Sequence, residues 1–141
     1  MINRPVATLI RQQILLTLPP GTPVREACRR MAERYVGSVL VTDARDRLLG
    51  IFTERDAVCR VLAQARDADR TTLAAVMTEK VSIIPPRGSA LEALRLMQDG
   101  GFRHVPVVDG ERVVGIVSWT DFRAPEHARL EEETQLWETA R

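Results

Sequence analysis

The 141-residue chain has almost no surplus of charge, with 20 Lys and Arg against 19 Asp and Glu for a formal net charge of +1. No run of basic residues forms a stripe, so the electrostatic footprint of a duplex-binding protein is missing and nucleic acid is not an expected partner. Cysteine is scarce: Cys28 and Cys59 stand alone, without the Cys-x-x-Cys or His-rich spacing that holds a metal, so no metal site is expected. The N-terminal "MINRPVATLI" lacks a charged region followed by a long apolar run and a small-residue cleavage site, and no apolar stretch approaches the about 18 residues of a membrane span. These absences point to the cytoplasm, away from the membrane, where thiols stay reduced. Both cysteines read as buried, inert helix residues.

What the chain does have is itself twice. With residue n set against n + 66, "PPGTPVREACRRM" (Pro19 to Met31) falls on "PPRGSALEALRLM" (Pro85 to Met97). Val39, Val41 and Asp43 then meet Val105, Val107 and Asp109. Past a polar turn that is one residue longer in the first copy, Gly50, Ile51 and Asp56 meet Gly115, Ile116 and Asp121. A length change confined to a polar turn is what a repeat tolerates.

Each copy carries the same pattern. A short apolar run is stopped by a Pro-Pro pair. A helix follows, with Val24, Ala27, Cys28 and Met31 on one face in the first copy and Ala90, Ala93, Leu94 and Met97 in the second. Two β-branched runs around a turn read as a hairpin, whose second strand leads into a helix starting at Thr53 or Ser118. The expected architecture is therefore mixed α/β (α+β), β-α-β-β-α twice. Neither half is large enough to be stable alone, so the two are expected to pack sheet against sheet about a pseudo-twofold axis.

"GIFTERD" and "GIVSWTD" share the skeleton Gly-x-x-Thr/Ser-x-x-Asp. One reading is a helix start, with Thr53 or Ser118 as N-cap and the aspartate three residues on completing a capping box. The other is a ligand site. A helix N-terminus favours an anion, a first-turn carboxylate can accept from both hydroxyls of a ribose, and Arg55 suits a phosphate. His104 beside Arg103 has no nucleophile at a recognisable spacing, so no catalytic residue is assigned. In the tail, Leu130 and Trp137 lie on one side of a helix and are expected to pack on the module's own surface.

The doubled motif, "VMTEKVSIIPP" (Val76 to Pro86), "GFRHVPVVD" and "YVGSVLVTD" together make residues 8 to about 125 resemble a tandem pair of cystathionine-β-synthase (CBS) domains. The resemblance implies a stand-alone, non-catalytic regulatory module that binds AMP, ADP, ATP or S-adenosylmethionine in clefts between the repeats. It further implies a homodimer and an unidentified regulated protein. A ligand-free structural scaffold is the alternative. Carried over by residue, the second cleft would use Thr78, Ser82, Phe102, Arg103, His104, Ser118 and Asp121. The first would use Val36, Gly37, Ser38, Thr53, Arg55 and Asp56, with Gln12 and Leu16 at the entering strand. The domains are expected as residues 1–70 for the first repeat with the N-terminal segment, 71–125 for the linker and second repeat, and 126–141 for the tail.

Overall fold

The computed structural model describes residues 3–139. The elements run α1 (Val6–Leu9), β1 (Thr17–Leu18), α2 (Val24–Arg34), β2 (Ser38–Thr42) and β3 (Leu48–Thr53). A helix α3 follows, α-helical over Glu54–Asp56 and π-helical over Ala57–Leu62. Then come α4 (Leu73–Val76), α5 (Ala90–Gly100), β4 (His104–Asp109), β5 (Arg112–Ser118), a 3₁₀ turn Trp119–Asp121 and α6 (Ala124–Thr139). The chain divides into two compact units.

The first unit holds Ile14–Val81 and Glu111–Val113. Its sheet has the order β1-β2-β3, parallel between β1 and β2 and antiparallel between β2 and β3. β2 is buried along its whole length, and α2 covers it with the predicted stripe of Val24, Ala27 and Met31, while Cys28 is half-buried. Burial pushes the Cys28 thiol up, against a smaller downward pull from Arg25. Cys59 was expected to be buried and is exposed, because it lies on the outer side of α3. α2 ends on Tyr35 in the left-handed region (φ 54°), with the Val36 N–H donating to Met31 O at 3.1 Å. At the corresponding end of α5 the left-handed residue is Gly101 (φ 71°), and the Phe102 N–H donates to Met97 O at 3.1 Å. The tyrosine is thus an exposed aromatic where glycine is the unstrained choice.

The second unit gathers the N-terminal segment up to Gln13 with Ser82–Gly110 and the stretch from Val114 onward. β4 pairs with β5, and Ile84 bridges Val107 in place of a full first strand. Val6, Ala93, Leu94, Met97, Val105, Val117 and Leu130 form its core.

The short helices are exchanged relative to the sequence order. α4, which immediately precedes the second repeat, is bound at the start of α2: Val24 N–H donates to Thr71 O at 2.8 Å and Leu73 N–H to Thr22 O at 2.9 Å. α1, which precedes the first repeat, is bound at the start of α5: Val6 N–H donates to Gly88 O at 2.8 Å and Ala90 N–H to Arg4 O at 2.6 Å. The contact units thus run across the order of the repeats, placing residues 3–13 with the second and residues 71–81 with the first. Hydrophobic periodicity marks the helices but carries no information on which core each short one joins.

The second repeat departs from expectation after Ser118, where no helix follows directly. A continuous helix would need the residue-125 N–H to bond the carbonyl of Asp121, and residue 125 is proline, which has no N–H to give. The chain turns once, breaks at Phe122 and restarts as α6.

The motif glycines have a steric role. A Cβ on Gly50 would lie 2.8 Å from both Met77 Sδ and Thr78 O, and one on Gly115 would lie 2.7 Å from Ile10 Cγ2. Each exchanged segment thus crosses a strand where only a hydrogen leaves room. Gly50→Ala and Gly115→Ala are each expected to lose about 2–3 kcal/mol, since the first meets the Thr78 carbonyl and the second meets Ile10 Cβ at 2.8 Å, an atom fixed to its own backbone. Thermal melts check both losses, and Ile10→Ala, which removes Cγ2 and Cδ1, should offset part of the Gly115→Ala loss but none of that at Gly50.

Candidate functional site

Both motifs end a strand with a hydroxyl residue and fold the aspartate back onto it. In the first, Asp56 Oδ2 accepts from the Thr53 N–H at 3.0 Å and from the Thr53 hydroxyl at 3.3 Å, and Thr53 Oγ1 accepts from the Asp56 N–H at 3.3 Å. Asp56 Oδ1 accepts from the Thr78 hydroxyl at 3.4 Å and faces Arg60 Nε at 3.5 Å. Arg60 is itself held by the carbonyls of Val76 and Met77, at 3.2 and 3.0 Å. Both carboxylate oxygens are engaged within the protein, and Asp56 is 7% exposed.

The second motif is open. Asp121 Oδ2 accepts from the Ser118 N–H at 2.7 Å, Ser118 Oγ and Thr120 Oγ1 share a hydrogen bond at 3.1 Å, and Asp121 is exposed. Two sequence differences account for the contrast. The position of Arg60 is taken by Pro125, which has no charge to offer. No threonine reaches Asp121 as Thr78 reaches Asp56; on that side Gln13 turns its amide to the strand: Gln13 Nε2 donates to Ile116 O and the Ile116 N–H donates to Gln13 Oε1, each at 2.8 Å. In the first unit the Thr78 peptide group makes the equivalent pair with Ile51, at 2.8 and 2.9 Å. A side-chain amide in one unit stands in for a backbone bridge in the other.

The segment before the hairpin is tied to each motif in the same way. Glu54 N–H donates to Gly37 O at 3.0 Å, and Trp119 N–H donates to Arg103 O at 2.9 Å. The doubled turn, the tied segment and the exchanged short helix recur in both units, and the CBS-domain family model matches the chain twice, over residues 5–62 and 73–124. The chain belongs to the CBS-domain family.

The CBS domain-containing protein CBSCBSPB3 of Arabidopsis thaliana is 41% identical over 111 residues, 79% of this chain, and the chain spans only 20% of that protein's length. A protein of Methanopyrus kandleri is 31% identical over 137 residues, covering 94% of this chain and 69% of its own. Among solved structures, one from Pyrococcus horikoshii has a TM-score of 0.79 at 27% identity, covering 92% of this chain and 95% of that one. The CBS domain protein PAE2072 from Pyrobaculum aerophilum, complexed with AMP, has a TM-score of 0.80 at 24% identity, covering 93% and 99%.

Within the two CBS repeats the predicted site residues separate into two sets. Thr53, Asp56, Gly37 and Ser38 come together, with Val36 and Arg55 exposed beside them. Thr78 joins this set, not the Ser118–Asp121 set in which the sequence placed it, because the exchanged segment brings Met77–Thr78 across Gly50. Conversely, Gln12, expected at the entering strand of the first repeat, lies with the second. Leu16 is buried in the first repeat's core. Ser82 is exposed and belongs to the unit of Ser118 and Asp121. In that unit Arg103 is exposed, His104 is half-buried, and Phe102 packs against the core. Among the described residues no cluster of His, Cys, Asp and Glu could hold a metal, and no helix is long and apolar enough to cross a membrane.

Periodicity and motif matching both passed over Arg4 and Glu126. Glu126 is 4% exposed; it accepts from Arg4 Nε and Nη2 at 3.0 and 2.7 Å and from the Arg123 N–H at 2.8 Å, which caps α6. Arg4 Nη2 also reaches the Asp121 carbonyl at 3.5 Å, the group that Pro125 leaves without a helical partner. The rings of Trp119 and His127 lie 4.6 Å apart, so the open motif and the first turn of α6 are fastened together. The signal available in sequence was Glu126 three residues after Arg123, a capping-box spacing hidden by a cap that is not Ser, Thr or Asp.

Hydrogen bonds from Arg4 hold the Glu126 carboxyl below its ordinary value, despite its burial, and Glu126 in turn raises Arg4. The carboxyl's folded value is depressed, so its stabilisation is full above about pH 5 and is lost as pH falls through that value. Glu126→Gln is therefore expected to lower the melting temperature at pH 7 and to flatten the acid limb of the stability curve between about pH 5 and 3, read by melts across pH.

Proposed function

We propose that this CBS pair is a regulatory module that binds an adenosyl ligand, AMP, ADP, ATP or S-adenosylmethionine, at the Ser118–Asp121 motif and performs no chemistry of its own. The observation that carries the reading is the exposed Asp121 carboxylate beside Ser118, with acceptor capacity left for the two hydroxyls of a ribose. Arg103, His104 and Ser82 belong to the same unit and supply a cation and polar groups for a phosphate or base. The AMP bound in the Pyrobaculum aerophilum protein supports the ligand class. Ligand occupancy would be passed on by population shift, to a regulated protein or to the self-association of the module as a homodimer, in the cytoplasm.

The first motif reads differently. Asp56 is sealed by Thr53, Thr78 and Arg60, so Thr53, Arg55, Asp56, Val36, Gly37 and Ser38 form at most a second, weaker site whose carboxylate must give up existing partners to take a ribose. For this repeat the structural, ligand-free role has a specific observation in its favour.

The two aspartates are thus expected to move different observables. Asp121→Asn should weaken AMP binding by about 10- to 150-fold with little change in melting temperature, because an amide presents a donor to a ribose hydroxyl. Asp56→Asn should lower stability by about 1–2 kcal/mol and leave affinity nearly unchanged. Calorimetric titration with AMP, paired with melts of both variants, checks this, and wild-type affinity in folded Asp121→Asn overturns the assignment.

A further inference from the structure

The two motif aspartates are fixed to different extents. Asp56 stands in a helix, with Thr53, Thr78 and Arg60 around its carboxylate. Among the described residues no threonine or arginine hydrogen-bonds the Asp121 carboxylate, and the single turn that carries it ends at Phe122, whose backbone is extended. Pro125 cannot supply the N–H that would close a further turn on the Asp121 carbonyl. The aspartate that must present its carboxylate to a ligand thus lacks the helical hydrogen bond that would fix its peptide plane.

What reaches that carbonyl is Arg4 Nη2, at 3.5 Å, on a guanidinium locked to buried Glu126 through Nε at 3.0 Å and Nη2 at 2.7 Å. Both partners are themselves anchored. Glu126 accepts from the Arg123 N–H at the start of α6, and the Arg4 carbonyl accepts from the Ala90 N–H at the start of α5, where Asn3 Oδ1 also accepts from the Leu91 N–H at 3.0 Å. At 3.5 Å the hydrogen bond to Asp121 is long, so charge supplies much of the hold: Glu126 raises Arg4 most, through its hydrogen bonds, and the Asp121 charge raises it further.

We propose that Arg4 is a positioning residue for the candidate site: it holds the Asp121 turn so that the carboxylate faces a ribose, and it does not touch the ligand. What Asp121 binds rests on the nucleotide reading above; what holds Asp121 rests on the geometry alone. Glu126 occupies Nε and Nη2 of Arg4, which leaves Arg103, exposed in the same unit, as the cation suited to a phosphate.

The test uses the full chain, with and without ligand. Arg4→Ala would strand the buried Glu126 carboxylate, so the variant is Arg4→Met combined with Glu126→Gln, which removes both charges together and keeps an acceptor for the Arg123 N–H. Glu126→Gln alone, which retains Arg4, is the control. In the ligand-free protein the Ser118 N–H, donated to Asp121 Oδ2 at 2.7 Å, reports where the carboxylate sits. Its amide exchange, followed by NMR, should rise about ten-fold in the double variant and little in the control, while the Trp119 N–H, donated to the Arg103 carbonyl, keeps its rate. In calorimetric titrations the double variant should lose about 3- to 10-fold in affinity for AMP and for adenosine alike. Added to Asp121→Asn it should cost little more, because the residue it positions is already disabled. The proposal is overturned by wild-type Ser118 exchange in the folded double variant, by a loss confined to AMP, which would make Arg4 a phosphate contact, or by losses that add in full to those of Asp121→Asn. A wild-type chain that binds neither adenosine nor AMP overturns the nucleotide reading instead, and the Ser118 exchange then still decides whether Arg4 holds the turn.

Discussion

Everything else in these two units depends on the contact between a strand glycine and a segment arriving from elsewhere in the chain. At Gly50 the backbone of Thr78 comes within reach of the strand, and at Gly115 the side chain of Ile10 does. Without those approaches Thr78 would have no route to Asp56, and Gln13 none to Ile116. The glycine that opens each motif and the aspartate that closes it are therefore parts of one device. The glycine admits the crossing segment, and the crossing segment decides how many partners the aspartate acquires.

From that common device the copies have diverged by few substitutions. Arg60 and Thr78 close one carboxylate; Pro125 at the position of Arg60, and a Gln13 amide spent on the strand, leave the other open. Pro125 does more than remove a charge. By breaking the helix it releases the Asp121 carbonyl to Arg4, and so binds the N-terminal segment, the motif and α6 into a single polar cluster around buried Glu126. A buried, bidentate ion pair of this kind contributes little net stability relative to an apolar core, but losing one member is costly, so it acts chiefly as a constraint on where α6 begins.

Much of this was legible in residues alone. The repeat, both long helices with their buried faces, both hairpins and the two capped turns all follow from local pattern, which is where sequence speaks most directly. The exchange of α1 and α4 was not legible at the level of pairing. An N-terminal segment with one apolar side can be read as crossing over, but which polar groups it delivers to which aspartate depends on long-range packing, which here sets Thr78 beside Asp56. Burial of Asp56 against exposure of Asp121 was hidden for the same reason, since both sit in an identical local frame. Leu130 and Trp137 share one helical stripe, yet only the first is covered, because the length of the neighbouring helix α5 decides it.

The bridge made by Gln13 differs from its counterpart at Thr78 in what it asks of the genetic message. Thr78 satisfies Ile51 with its own peptide group, so nearly any residue at that position keeps both hydrogen bonds. Gln13 satisfies Ile116 with a side chain, and a single base change can abolish both. The same strand edge is thus mutationally robust in one repeat and fragile in the other, and drift in the second repeat is confined by an amide that the first never needed.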